Sequence, residues 1–156
     1  MVDAQCNPLP DPEGGFYGSS WHKMDMYLDQ LTCINQKVKE LVRGLLDTES
    51  LSPKPIIILQ ADHGPGSLTA DIQDKGPATH ASQEGIKERM SILHALHLPG
   101  VTASDLPADL TPVNTFRFVF NHYFGTKFEL LPNRVFFSTY DKNSRMIELT
   151  ALMHDR

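Results

Sequence analysis

The chain reads as an α/β domain, a mixed and mostly parallel sheet flanked by helices, and three observations predict it. The run Ile56-Ile57-Ile58-Leu59 lies between Pro55 and Gly64-Pro65-Gly66. It is β-branched and does not alternate with polar residues, which marks a short strand buried on both faces, the kind found where helices cover each side of a sheet. Ahead of it, Tyr27, Leu28, Leu31, Ile34, Val38, Leu41, Val42 and Leu45 recur at steps of three and four, the spacing that lines one face of a helix. Behind it, Thr111-Pro112 opens a second helix pattern that Gly125 closes.

Composition narrows the function classes. With 156 residues, 40% hydrophobic and 21% charged, the chain has the make-up of one soluble domain, 1–156. Its net charge of −5 provides no basic stripe to displace counterions from a phosphate backbone, so no nucleic-acid partner is expected. An anionic ligand would have to be held locally, by a metal or by one or two arginines. No apolar run approaches the ~18 residues of a membrane span, and no leader pattern opens the chain. Cys6 and Cys33 are too few for a disulfide framework or a zinc finger, and a single disulfide between them stays open.

In chain order, residues 2–20 are rich in Pro, Gly and small polar residues and read as an irregular loop. The first helix is expected to begin at residues 23–25 and to fray at 44–48, with Lys37, Lys39, Glu40 and Arg43 on its wet side. The linker 50–54 leads into the apolar strand. Residues 64–82 have neither period and read as a long surface loop, of the kind that is functional or disordered in small domains. Residues 83–90 suit a short helix, whereas 91–98 fit strand and helix equally until Pro99-Gly100 ends them. In the helix opened by Thr111 as N-cap and Pro112 at its first position, Val113, Phe116, Phe120, Tyr123 and Phe124 form an apolar face expected to pack in the core. Residues 134–140 and 146–153 read as two strands of a hairpin turning through Asp141-Lys142-Asn143-Ser144.

Chemistry concentrates where the apolar strand ends. Asp62 and His63 offer a carboxylate oxygen and an imidazole nitrogen, good ligands for zinc or manganese, at the strand end where α/β sheets gather ligands. Gly64 frees the backbone that follows. The alternative is an ordinary polar turn. His80, in the following loop, is a candidate additional ligand, weighed against a solvated loop histidine. Arg89 and Arg117 are candidate anion-binding residues, because a guanidinium can hold two oxyanion oxygens, and both equally suit a helix surface or an ion pair. His94 and His97 are expected to be satisfied, partly buried histidines. Cys6, in Cys6-Asn7-Pro8-Leu9-Pro10, reads as an ordinary thiol. No catalytic nucleophile can be named.

A hydrophobic strand ending in Asp62-His63-Gly64 resembles the metal-binding strand end of the sulfatase-like branch of the alkaline phosphatase superfamily. Residues 88–100, ending in Pro99-Gly100, are similar to the strand that follows that motif, and residues 111–117 to the next helix, so the match runs over about 27–140. The resemblance implies an alkaline-phosphatase-like sheet and a metal-dependent hydrolase or transferase acting on small-molecule, glycan or lipid sulfate or phosphate esters. Its metal would be zinc or manganese, with calcium or magnesium as alternatives, and only Asp62 and His63 carry over as ligands. The nucleophile-bearing amino-terminal part has no match, so the chain is expected to be a partial domain, inactive alone, completed by the missing part or by a second copy. Full-length relatives are often membrane-anchored, with the catalytic domain outside the cytoplasm. The rival expectation is a non-catalytic metal-binding or interaction domain of the same fold.

Overall fold

The computed structural model describes residues 2–9, 24–48, 52–68, 82–138 and 146–154, in two units, Met1–Pro55 and Ile56–Arg156. The first is built on helix α1, Met24–Asp47, whose ends fall where its apolar spacing predicts. Asp25 in the first turn complements the positive end of the helix dipole. At the other end the Lys54 ammonium donates to the carbonyls of Leu46 and Thr48 at 2.7 and 3.2 Å, satisfying acceptors that a helix end leaves open. Cys33, midway along the helix, is buried and joined by a disulfide to Cys6. Cys6 occupies the left-handed region at φ 66. It follows a turn in which the Asp3 carboxylate accepts from the Gln5 and Asn7 amides, and the Asn7 side chain that also donates to it holds the Asp3 carboxyl below the usual range. Half of the apolar stripe of α1, Leu28, Leu31, Ile34 and Leu41, is exposed, and the rest of it is half-buried.

In the second unit, strand β1, Ile57–Gln60, pairs antiparallel with β2, His94–His97, in the register Ile57 with His97 and Gln60 with His94. The ladder continues past β1, where the Ala61 amide donates to the Leu93 carbonyl at 2.9 Å. Within the ambiguous stretch 91–98, His94–His97 is therefore strand. The doubly buried, mostly parallel strand expected over 56–59 is corrected in two respects. Among the described residues both sheets are two-stranded and antiparallel, and Ile57, Ile58 and Leu59 are only half-buried, with Ile56 exposed. A mixture of helices and small sheets stands.

Helix α2, Gln83–Met90, lies between these strands in sequence, and its amino end is capped by the Ser82 hydroxyl, which accepts from the Gly85 amide. Among the described residues of this unit, Ile86 and Leu98 join Val119 and Phe137 as the buried large apolar side chains. Helix α3, Pro112–Phe124, ends on Gly125 at φ 65, the left-handed stop that glycine adopts without Cβ strain. Its burial corrects the expectation. The exposed side is Val113, Phe116, Phe120 and Phe124, with Phe116 at 54% and Phe124 at 67%, while Asn114, Thr115 and Val119 are buried.

The reason is a set of polar ties. Asn114 makes two 2.8 Å bonds to the backbone of Leu131, donating to its carbonyl and accepting from its amide, as a β-ladder neighbour would. Asn121 likewise holds the amide and carbonyl of Phe128. The segment after α3 is thus strapped along one side of the helix. The Thr111 hydroxyl donates to Asn133 instead of capping the helix.

Strands β3, Phe136–Phe137, and β4, Ile147–Glu148, form the expected hairpin, and its turn at 141–144 lies outside the described residues. The second strand is shorter than the expected 146–153, because helix α4, Thr150–His154, takes over. Thr150 accepts from the Val135 amide at 3.0 Å, and Ala151, Leu152 and Met153 are strong helix formers.

Candidate functional site

The loop leaving β1 runs against the carboxyl end of α2. The Gly64 amide donates to the Arg89 carbonyl at 2.7 Å and so satisfies an acceptor the helix end leaves open. The approach is very close. A Cβ on Gly64 would lie 2.1 Å from the Glu88 carbonyl oxygen and 2.3 Å from that of Ser91. Glycine is therefore required here for proximity of two backbones, a different reason from the freedom to turn that the sequence suggests. Further along the loop, the Glu88 carboxylate accepts from the Ser67 hydroxyl and, at 3.1 Å, from the Leu68 amide. Helix α2 thus anchors the loop at two places, Gly64 and residues 67–68.

Asp62 and His63 sit on the anchored loop. Asp62 Oδ1 accepts from the His63 amide at 3.0 Å, which fixes the carboxylate beside the ring. Asp62 Oδ2 then lies 3.3 Å from His63 Nε2, with the Asp62 side chain 85% and the His63 side chain 48% exposed. On the other side of the ring, His63 Nδ1 is 2.9 Å from the Gly64 carbonyl oxygen and 2.6 Å from Arg89 Nη1, which also donates to that carbonyl at 3.1 Å. Both ring nitrogens are engaged and both face groups that the chain holds in place.

These residues fit a divalent ion in two respects. Two ligands each roughly 2.0–2.1 Å from a tetrahedral ion stand about 3.3–3.4 Å apart, which is the separation of Oδ2 and Nε2. A metal-binding imidazole also needs a backbone carbonyl or carboxylate to receive its second N–H, and the Gly64 carbonyl stands opposite Nδ1. In one respect the set is short. Among the described residues no third His, Cys, Asp or Glu gathers with the pair, and His80 lies outside them.

The two arginines part company. Arg89, at the carboxyl end of α2, is drawn to His63 and Gly64. Arg117, on α3, donates to the Glu129 carbonyl at 3.1 Å and lies 5.9 Å from the centre of the Phe128 ring, so it supports the strap after α3. His94 and His97, three apart on β2, point to opposite faces of the strand. His94 Nε2 is 2.8 Å from the hydroxyl of the fully buried Thr115, which also donates to the Thr111 carbonyl at 3.1 Å. With its one proton used there, the hydroxyl accepts from Nε2–H of His94. This is a satisfied histidine, tying β2 to α3. Cys6 is closed as a nucleophile by its disulfide.

Glu88 and Ser67 were not legible as site residues, since their bond spans 21 positions and no local pattern announces it. No family model, curated protein or solved structure matches the chain. No helix among the described residues is long and apolar enough to cross a membrane.

Proposed function

We propose that the chain is the carboxyl-terminal part of a sulfatase-like hydrolase or transferase acting on sulfate or phosphate esters, with Asp62 and His63 supplying part of a divalent metal site. The observation that carries the reading is the 3.3 Å spacing of Asp62 Oδ2 and His63 Nε2 on a loop pinned to α2. A zinc or manganese ion bound there would polarise an ester oxygen and make a nearby hydroxyl or thiol a better nucleophile. The contribution of this chain is to hold two ligands at the spacing such an ion needs. The remaining ligands and the nucleophile belong to an amino-terminal part or to residues such as His80. On this reading the open apolar faces of α1 and of α3 are each where further parts of the domain would pack.

The second reading, a non-catalytic interaction domain, is favoured by one observation. Phe116, Phe120 and Phe124 form an exposed aromatic row at helical spacing, with successive ring centres 6.1 and 5.9 Å apart.

Aryl sulfate and aryl phosphate hydrolysis, measured with added zinc or manganese, separates the two when the chain is compared with a version extended by the coding sequence in frame ahead of Met1. Metal-dependent turnover in the extended protein, abolished by Asp62→Ala, is expected. An extended protein that binds metal but cleaves neither ester supports the interaction domain instead.

A further inference from the structure

Helix α1 leaves one apolar face open along its length, and that face is matched to itself. Among the described residues of α1, only Cys33 is buried. At 100° per residue it lies on the side of the helix opposite Leu31, and its disulfide to Cys6 holds the amino-terminal turn to that side. On the open side Leu28, Leu31, Ile34 and Leu41 are exposed, Ile34 at 55% and Leu41 at 61%. Val38, Val42 and Leu45 are half-buried. An exposed side chain of this size keeps roughly 70–100 Å² open, so closing the face against an equal one covers on the order of 1,000 Å² in total, where specific interfaces begin. An apolar patch of that extent marks an interaction site.

Spacing and charge select the occupant. Met24, Leu31, Val38 and Leu45 recur every seven residues, and Leu28, Asn35 and Val42 form a second such line beside them, the heptad pattern of helices that pair. Asn35 is the polar member of these lines and stands at the middle of α1. An antiparallel pair with its two-fold axis between residues 34 and 35 sets Leu31 against Val38 of the second copy, Leu28 against Val42, and Asn35 against its own image. The two Asn35 amides, each with donors and an acceptor, then bond to one another, and one such polar contact in an apolar seam fixes its register. Charge favours the same orientation. Asp25 and Asp29 lie in the first half of α1, and Lys37, Lys39 and Arg43 in the second. Antiparallel pairing brings unlike halves together, whereas parallel pairing sets like over like. Of the two acids in the second half, Glu40 is engaged within its own helix by Lys37 at 3.3 Å and Gln36 at 3.1 Å, and Asp47 lies past the paired span. A lipid surface fits less well, because helices that lie on membranes are rich in Lys and Arg and the acids of α1 outnumber its bases. We infer that two copies of the chain associate through α1 as an antiparallel pair. The further part that packs on α1 is then a second α1, and the pairing needs no metal at Asp62 and His63.

Sedimentation equilibrium of the full, disulfide-bonded chain tests this. At about 10–100 μM the wild type should be a dimer. Leu31→Gln combined with Ile34→Gln changes two exposed positions and leaves the Cys33 side of α1 intact, so the helix should persist by circular dichroism while the dimer weakens about a hundredfold or more. Phe124→Gln, on the exposed row of α3, should leave the dimer unchanged. At low salt, Asp29→Lys and Lys39→Glu should each weaken it about three- to tenfold, because each sets like charges together in both symmetry-related contacts. Combined in one chain they should restore it, a rescue that a parallel pair does not give. A wild type that is monomeric throughout overturns the inference. So does a dimer that survives the Leu31 and Ile34 changes or is dissolved by Phe124→Gln, and so do charge variants without loss or without rescue. A monomer that binds phosphatidylcholine vesicles, and ceases to when Leu31 and Ile34 are changed, assigns the face to lipid and overturns it as well.

Discussion

Replacing Gly64 by alanine tests whether the loop carrying Asp62 and His63 is held by close backbone contact. The added Cβ would stand 2.1 and 2.3 Å from the carbonyl oxygens of Glu88 and Ser91 and 3.2 Å from that of Arg89, where ordinary contact begins near 3.4 Å. These are backbone atoms at a helix end and cannot swing aside, so loop and helix must separate by about 1 Å, the shortfall against ordinary contact. Overpacking of this kind costs about 1–3 kcal/mol. The 2.7 Å bond from the Gly64 amide to the Arg89 carbonyl is lost with it, adding about 1 kcal/mol. A total of about 2–4 kcal/mol should lower the urea midpoint of the Ile56–Arg156 unit by on the order of 1–2 M. Gly44→Ala provides the contrast, since nothing lies within 4 Å of its Cβ position in α1. There the substitution should stabilise by about 0.5–1 kcal/mol, because alanine loses less entropy in a helix. If Gly64→Ala unfolds at the wild-type midpoint, the close approach of loop and α2 is refuted.

Other perturbations reach other parts of the chain. Reducing the Cys6–Cys33 disulfide, which spans 27 positions, should destabilise the Met1–Pro55 unit by about 3–4 kcal/mol in the chain-entropy description; circular dichroism of α1 during denaturation, with and without reductant, should show two separate midpoints, and coincident ones would mean the bond is absent. Thr115→Val should cost about 1–3 kcal/mol by leaving His94 Nε2–H without its buried acceptor, read as a lower thermal midpoint, whereas Thr115→Ser should restore most of it. The Glu148 carboxyl is lowered to about 2 by hydrogen bonds from Arg134 and Thr150. Its folded pKa lies below the ordinary value of 4.5, so the stabilisation it gives the hairpin is complete above that value and is lost as pH falls toward 2. Carboxyl-carbon NMR should show the titration moving up in Arg134→Ala; an unmoved midpoint would rule out the pair.

Local signals in the sequence located the helices well. The spacing of Leu28 to Leu45, Pro112 at a first helical position and Gly125 in a left-handed stop each act within a few residues, so α1, α2 and α3 fall where they are predicted. Long-range pairing was not legible. Three isoleucines in a row suit a buried parallel strand, and only the register of Ile57 with His97 shows an antiparallel partner and a half-open surface. Periodicity likewise put the phenylalanines of α3 inward, because it counts apolar residues and cannot see that Asn114 and Thr115 have partners 17 and 21 residues away. At the site, the composition of Asp62-His63-Gly64 suggested ligands, but the reason for Gly64 and the meeting of Arg89 with His63 depend on the end of α2 reaching the loop, a contact over 25 positions.

The central claim is that Asp62 and His63 act on one ion, and a double-mutant cycle of zinc affinity tests it most directly. Zinc should be titrated calorimetrically into wild type, Asp62→Ala, His63→Ala and the double variant. Two ligands of a shared ion are coupled, so each single variant should lose most of the binding and the double variant should lose little more than either. Losses that add independently, or four proteins that bind zinc alike, would contradict the claim and leave Asp62-His63-Gly64 as a turn anchored to α2.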